Sequence, residues 1–179
     1  MTDCFQPAEN RHRITYRTIR ELNRQGVGYL IVTKSPLVAT DEYLAAMDRK
    51  LAHIQVSISC TSDTLAQTYE RASPPSARIR AVEKLQKAGF DVSLRLSPFI
   101  PQYVDSGLLG AVRCDKVLVE FLRVNGWIRR WFDLDYTEYT HRQSGYLHLP
   151  LGHKIEYLSK LPKFGELSVC EDVTEHYHY

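Results

Sequence analysis

Polar and apolar positions alternate most clearly in two segments of the chain. In residues 54–60 (IQVSISC), Ile54, Val56, Ile58 and Cys60 fall on one face and Gln55, Ser57 and Ser59 on the other. In residues 91–97 (DVSLRLS), Val92, Leu94 and Leu96 oppose Ser93, Arg95 and Ser97. A period of two predicts strands. Around them the pattern alternates with helical spacing. Residues 14–25 carry Ile14, Ile19 and Leu22 along a helix that Gly26 would stop. Residues 28–33 (GYLIVT) predict a buried strand, and Asp41 is a candidate cap for a helix reaching Met47. Pro74 and Pro75 precede a helix over residues 78–88 that Gly89 ends. A short helix near residues 108–112 and a strand over 116–122 follow. Beyond an irregular, Tyr-rich stretch come a helix over 153–161 and a short strand over 166–170.

This order predicts an α/β fold, a parallel sheet with helices on one side. A parallel strand covered on both faces should be apolar on both, yet two strands here keep a polar face. Such a pattern fits a sheet with one face in water, or a curved sheet whose inner face lines a wet, ligand-holding lumen; the second is preferred. No domain boundary or repeat is evident. The chain reads as one domain over residues 1–179, with a core over about 1–125 and a C-terminal extension over about 126–179 packed on it.

Composition narrows the function classes. The chain has 179 residues and a formal net charge of +2, which argues against a strong sequence-independent grip on a phosphate backbone. No apolar run approaches the roughly 20 residues of a membrane span, and the polar N-terminus is no signal peptide, so the expected compartment is the cytosol. Cys4, Cys60, Cys114 and Cys170 are too far apart for a compact metal loop.

Four short blocks carry more specific information. They are Thr2-Asp3-Cys4-Phe5-Gln6-Pro7-Ala8-Glu9, then Val32-Thr33-Lys34-Ser35-Pro36-Leu37-Val38, then Val56-Ser57-Ile58-Ser59 followed by Tyr69-Glu70 and Arg78-Ile79, and finally Leu94-Arg95-Leu96-Ser97-Pro98-Phe99-Ile100-Pro101. In this order and spacing they resemble the spore-photoproduct-lyase-like branch of the radical S-adenosylmethionine (SAM) proteins, over roughly residues 1–125. The resemblance implies a partial (β/α)6 radical SAM barrel lacking its first βα unit. In that family a Cys-x3-Cys-x2-Cys loop after the first strand holds a [4Fe-4S] cluster with one iron open to SAM. Electron transfer to SAM then gives a 5′-deoxyadenosyl radical that abstracts hydrogen from substrate. That loop is absent here, so the resemblance implies ligands upstream and a chain that is inactive by itself. A reductant such as a flavodoxin or ferredoxin is expected for the intact enzyme, and the branch's namesake leaves a nucleic-acid substrate open.

The resemblance assigns candidate SAM-binding residues, each with a plainer alternative. Lys34 follows a strand, where βα barrels place their sites, and would meet the SAM carboxylate; without the motif it is a solvated charge. Ser57 would bond the ribose or its neighbourhood, or is a barrel-lining hydroxyl. Thr2 and Asp3 would lie near SAM, although Asp3 is equally placed to cap a helix. Arg95 points inward and needs a partner such as Glu70 or Glu120; it contacts SAM or substrate, or forms a structural ion pair. No catalytic residue and no metal ligand is assigned. Cys4 reads as a small apolar filler, and His53 as packed or solvated. Cys170, Glu171, Asp172, His176 and His178 match no standard zinc spacing. Residues 123–132 interleave Arg123, Arg129 and Arg130 with Trp127, Trp131 and Phe132. That mixture suits stacked bases and phosphates, but an amphipathic helix or a core Trp pair with a basic rim is the favoured reading. A rival for the whole chain is a cluster-less, non-catalytic barrel that binds SAM or nucleic acid. An ordinary βα-barrel lyase would want a glycine loop for phosphate, and glycine is too sparse at the strand ends.

Overall fold

The structure is a computed structural model that describes residues 3–170. The elements are α1 (Glu9–His12), α2 (Ile14–Gln25), β1 (Tyr29–Thr33), α3 (Asp41–Ala46), β2 (Ala52–Ile58), α4 (Asp63–Tyr69), α5 (Pro75–Lys87) and β3 (Asp91–Phe99). They continue with α6 (Ser106–Gly110), β4 (Lys116–Phe121), β5 (His141–Gln143), β6 (Tyr146–His148), α7 (Leu151–Ser159) and β7 (Glu166–Val169). Five strands form a sheet in the order β1-β2-β3-β4-β7, every pair parallel. β5 and β6 form a separate antiparallel hairpin inside the stretch expected to be irregular.

The alternation in β2 and β3 sorts as expected. Ile54, Val56, Ile58, Val92, Leu94 and Leu96 are all buried. Against that apolar face α5 sets Arg78, Ala81, Val82 and Leu85, a buried stripe at helical spacing. On the opposite face Arg95 donates to Gln55 Oε1 across the β2–β3 pair. Ser57 and Ser59 on that face are nonetheless buried. They sit at the end of β2, where the Tyr69 hydroxyl of α4 meets Ser59 Oγ at 2.8 Å.

Several boundaries differ from the sequence pattern, for local reasons. β1 is an edge strand among the described residues and is not buried throughout: Leu30 is 58% exposed while Ile31 and Thr33 are covered. Ile14 sits in the first turn of α2 and faces water; Ile19 is the residue that packs. The α3 N-cap position is Thr40, and Asp41 is the first helical residue, its carboxylate on Lys84 Nζ at 2.7 Å. α5 begins at Pro75 with Pro74 as N-cap, because proline suits a first turn whose N–H groups lack partners. α6 starts where Asp105 accepts from the N–H groups of Gly107 and Leu108, a side-chain cap. α7 starts at Leu151, again after a proline N-cap. Gly26 ends α2 as expected, at a φ of 66° that favours glycine.

Candidate functional site

The C-terminal ends of β1 to β4 open on one side of the sheet, and the four sequence blocks meet there. Two clefts flank the end of β1. An inner cleft of about 350 Å³ lies over the strand ends, between Lys34, Ser59, Tyr69 and Glu70 on one side and Ser97, Glu120, Arg123 and Trp131 on the other. An outer cleft of about 650 Å³ lies between residues 3–10, residues 34–40 and residues 71–73. Lys34 lines both.

Asp3 is held at the end of β1 and is not a helix cap. Its carboxylate accepts from Thr33 Oγ1 at 2.8 Å, from the Lys34 N–H at 2.7 Å and from the Phe5 N–H at 2.8 Å. Buried Glu9 anchors the same segment. It accepts from the N–H groups of Thr15 and Tyr16, both at 2.9 Å, and from the Tyr43 hydroxyl at 2.5 Å. Burial alone would raise the Glu9 carboxyl, but these donors outweigh it and hold it below its ordinary value. Thr2 lies outside the described residues.

The Lys34 ammonium donates to Glu70 Oε2 at 2.6 Å. Glu70 directly follows α4 and also accepts from the fully buried Arg78. Ser57 is buried beneath the cleft, and its carbonyl accepts from Arg78 at 3.1 Å. Arg95 donates to Gln55 at 2.9 Å and to Glu120 Oε2 at 2.7 Å, so Glu120 is its acidic partner and Glu70 is not. Neither Ser57 nor Arg95 lines the inner or the outer cleft. Glu120 also accepts from Ser97 and Arg123. Burial pushes its carboxyl up, yet the hydrogen bonds from Arg95, Ser97 and Arg123 prevail and hold it low.

One wall of the inner cleft is aromatic. Tyr69 stacks on Tyr103 with centroids 5.8 Å apart and meets Phe132 edge-on at 5.0 Å. Its hydroxyl shares a hydrogen bond with Ser59 Oγ at 2.8 Å, and burial pushes its ionisation well above the ordinary range. The blocks contained Tyr69, Glu70 and Arg78, but nothing in the pattern tied them to Lys34; only the packing of α4 and α5 does so.

The segment after β4 is neither an amphipathic helix nor a core Trp pair. It forms a single 3₁₀ turn over Ile128–Arg130, and Trp127 and Trp131 are 69% and 63% exposed. Only Phe132 of the three aromatics is buried. The Arg130 guanidinium lies 5.4 Å from the Trp127 ring. Elsewhere, His53 sits at the other end of the sheet, exposed and paired with Asp91 at 2.6 Å. Cys4 is exposed, and Cys60, Cys114 and Cys170 are buried; no disulfide joins them. Among the described residues no three His, Cys, Asp or Glu side chains gather as a metal site, and no helix is long and apolar enough to cross a membrane. Glu171, Asp172, His176 and His178 lie outside the described residues.

No protein-family model matches the chain. Among curated proteins it is 31% identical over 142 residues to the uncharacterized protein Rv2578c of Mycobacterium tuberculosis, covering 73% of this chain and 42% of that protein. It is 35% identical over 77 residues to the uncharacterized protein ORF301 of Acidianus two-tailed virus, covering 42% of this chain and 26% of that one. The chain therefore spans less than half the length of the curated relatives it matches. Among solved structures, spore photoproduct lyase complexed with dinucleoside spore photoproduct superposes with a TM-score of 0.62 at 16% identity, over 90% of this chain and 56% of that one. A variant of the same enzyme with bound AdoMet gives 0.60 at 17% identity, over 90% and 56%. A domain of pyruvate-formate lyase-activating enzyme from Bacteroides vulgatus gives 0.62 at 12% identity, over 95% of this chain and 98% of that one. The fold is the partial radical SAM barrel that these enzymes share.

Proposed function

Starting from the fold it shares with spore photoproduct lyase, we propose that this chain is the SAM-binding part of a radical SAM enzyme of the same branch. The observation that carries the reading is the convergence of Lys34 and Asp3 at the end of β1, where both clefts meet. SAM presents a carboxylate, an amine and a sulfonium. Lys34 offers that carboxylate a charge-assisted hydrogen bond from a partly sheltered position. Asp3 fixes the backbone that carries Lys34. Ser57 and Arg95, with Thr2, complete the candidate set; Ser57 and Arg95 act from the layer beneath the cleft. Tyr69 and Phe132 line one flank of the inner cleft, with Tyr103 packed against both.

When bound, SAM supplies the 5′-deoxyadenosyl group for hydrogen-atom abstraction. The residues described here fit SAM. They do not fit a [4Fe-4S] cluster, which needs three converging thiolates, and no step is assigned to one. The reading requires cluster ligands other than the described residues. A flavodoxin or ferredoxin is the expected reductant, in the cytoplasm, and the reaction class is lyase or repair-like with an unidentified substrate. The experiment is anaerobic reconstitution of the full-length parent with iron and sulfide, followed by assay for 5′-deoxyadenosine. Reductant-dependent product supports the reading, and its absence from a cluster-loaded, folded parent contradicts it.

A second reading, a cluster-less barrel that binds SAM or nucleic acid without catalysis, is favoured by one observation. Trp127 and Trp131 are largely exposed beside Arg129 and Arg130, with the Arg130 guanidinium over the Trp127 ring. Arg129, Arg130 and Arg142 form no ion pair among the described residues, whereas Asp133 and Asp135 lie on the following stretch and temper the positive charge.

A further inference from the structure

Two cations share one carboxylate at the junction of the two clefts. Glu70 spends Oε2 on Lys34 and Oε1 on Arg78. Arg78 is fully buried, and its remaining hydrogen bonds run to the Ser73 carbonyl at 2.5 Å and the Ser57 carbonyl at 3.1 Å. The guanidinium therefore ties together the end of β2, the loop between α4 and α5, and Glu70. It cannot move without breaking its hydrogen bonds to two backbone carbonyls and to Glu70 Oε1. The Lys34 side chain is different: it is 35% exposed, and among the described residues its ammonium pairs with Glu70 alone. Without Glu70, the flexible four-carbon stem of Lys34 would range over both clefts.

The charge balance favours an added anion. Lys34 and Arg78 balance Glu70 and Asp3, and Arg71 tips the local count to one net positive charge. Asp3, the other nearby carboxylate, is turned to Thr33 and to the Lys34 backbone. Arg71 adds a cation on the outer side, while Glu120 is already shared by Arg95 and Arg123 across the inner cleft. An ammonium has three donors, and one is spent on Glu70. Lys34 can thus keep Glu70 and still donate to a ligand, so the two acceptors need not compete.

We propose that Glu70, locked by Arg78, is a positioning residue that holds the Lys34 ammonium where a ligand carboxylate meets it. This rests on the reading of the site as one for SAM. Because the lysine is ordered in advance, binding a carboxylate does not have to freeze it. The contribution is confined to the carboxylate end of the ligand and should vanish with the lysine.

Calorimetric titration of the chain with three probes tests this. The probes are SAM, decarboxylated SAM, and 5′-methylthioadenosine, which lacks the whole amino-acid portion. Wild type should prefer SAM to its decarboxylated form. Glu70→Gln should cut that preference by about five- to tenfold while leaving methylthioadenosine within about twofold. Lys34→Ala should abolish the preference, and adding Glu70→Gln to Lys34→Ala should change nothing more. Glu70→Asp, which keeps a charge for Arg78 but shortens the reach to Lys34, serves if Glu70→Gln does not fold, with the same loss expected. A preference kept in both Glu70 variants but lost in Lys34→Ala overturns the positioning role and leaves the SAM reading intact. A parallel weakening of all three probes overturns it in favour of a purely structural role. Failure of the folded wild type to bind SAM removes the underlying reading and this proposal together.

Discussion

The Arg95 guanidinium donates to Glu120 Oε2 at 2.7 Å, and the Ser97 hydroxyl donates to the same oxygen at 2.7 Å. Arg123 takes the other oxygen at 3.0 Å. These donors connect the ends of β3 and β4 under the inner cleft. They outweigh the burial that would push the Glu120 carboxyl up and leave it below its ordinary value. A carboxyl lowered in the folded state stabilises the protein above its unfolded pKa and loses that contribution as pH falls through the folded value. Glu120→Gln should therefore cost about 1.5–3 kcal/mol near neutral pH, the worth of a hydrogen-bonded charge. The difference from wild type should shrink as pH falls below about 4. Urea titrations of both proteins across pH 3–8 measure it.

The exposed Trp pair makes a separate prediction. If residues 127–131 stack bases, Trp127→Ala and Trp131→Ala should each weaken binding of a short single-stranded oligonucleotide by about 1–3 kcal/mol. Arg129→Ala and Arg130→Ala should also flatten the dependence of affinity on salt. Tryptophan fluorescence titrations at several salt concentrations read both effects. Unchanged affinity in both Trp variants would remove nucleic acid as a ligand of this surface.

Much of the sheet was legible because β2 and β3 each bury one face and leave the other polar, so the register shows in the alternation itself. β4 and the core of α5 were legible for the same reason. Leu30 misled because a strand at a sheet edge can be as apolar as one inside it; periodicity does not report neighbours. The Trp127–Trp131 segment misled because its spacing suits a helix, whereas Asn125 accepts from the N–H groups of Trp127 and Ile128 and turns the chain there. At the site, Lys34 and Asp3 were visible in motifs. Glu70 and Arg78 were visible only as letters, since their roles come from contacts made across 36 and 21 residues of chain.

The cysteines give a third prediction. Cys60, Cys114 and Cys170 are buried, and burial raises the Cys114 thiol above its ordinary value, which opposes the thiolate a cluster needs. Incubated anaerobically with iron and sulfide, the chain over residues 1–179 should acquire no redox-active [4Fe-4S] cluster and should not cleave SAM. Visible cluster absorption with about four irons per chain, lost on replacing Cys4, Cys60 or Cys170, would contradict this.

Lys34 and Ser57 should differ in weight. Lys34→Ala removes a charge-assisted hydrogen bond of about 1.5–3 kcal/mol, and Ser57→Ala a neutral one of about 0.5–1.5 kcal/mol. Far-ultraviolet circular dichroism should be unchanged in the lysine variant, because a half-exposed strand-end lysine adds little to the core.

The most direct measurement is equilibrium dialysis of the chain against labelled SAM, with wild type and Lys34→Ala side by side. Saturable binding that falls roughly ten- to a hundredfold in Lys34→Ala, and less in Ser57→Ala, is the predicted result. Folded wild type that takes up no SAM, or a Lys34→Ala variant that binds it as tightly as wild type, would contradict the account.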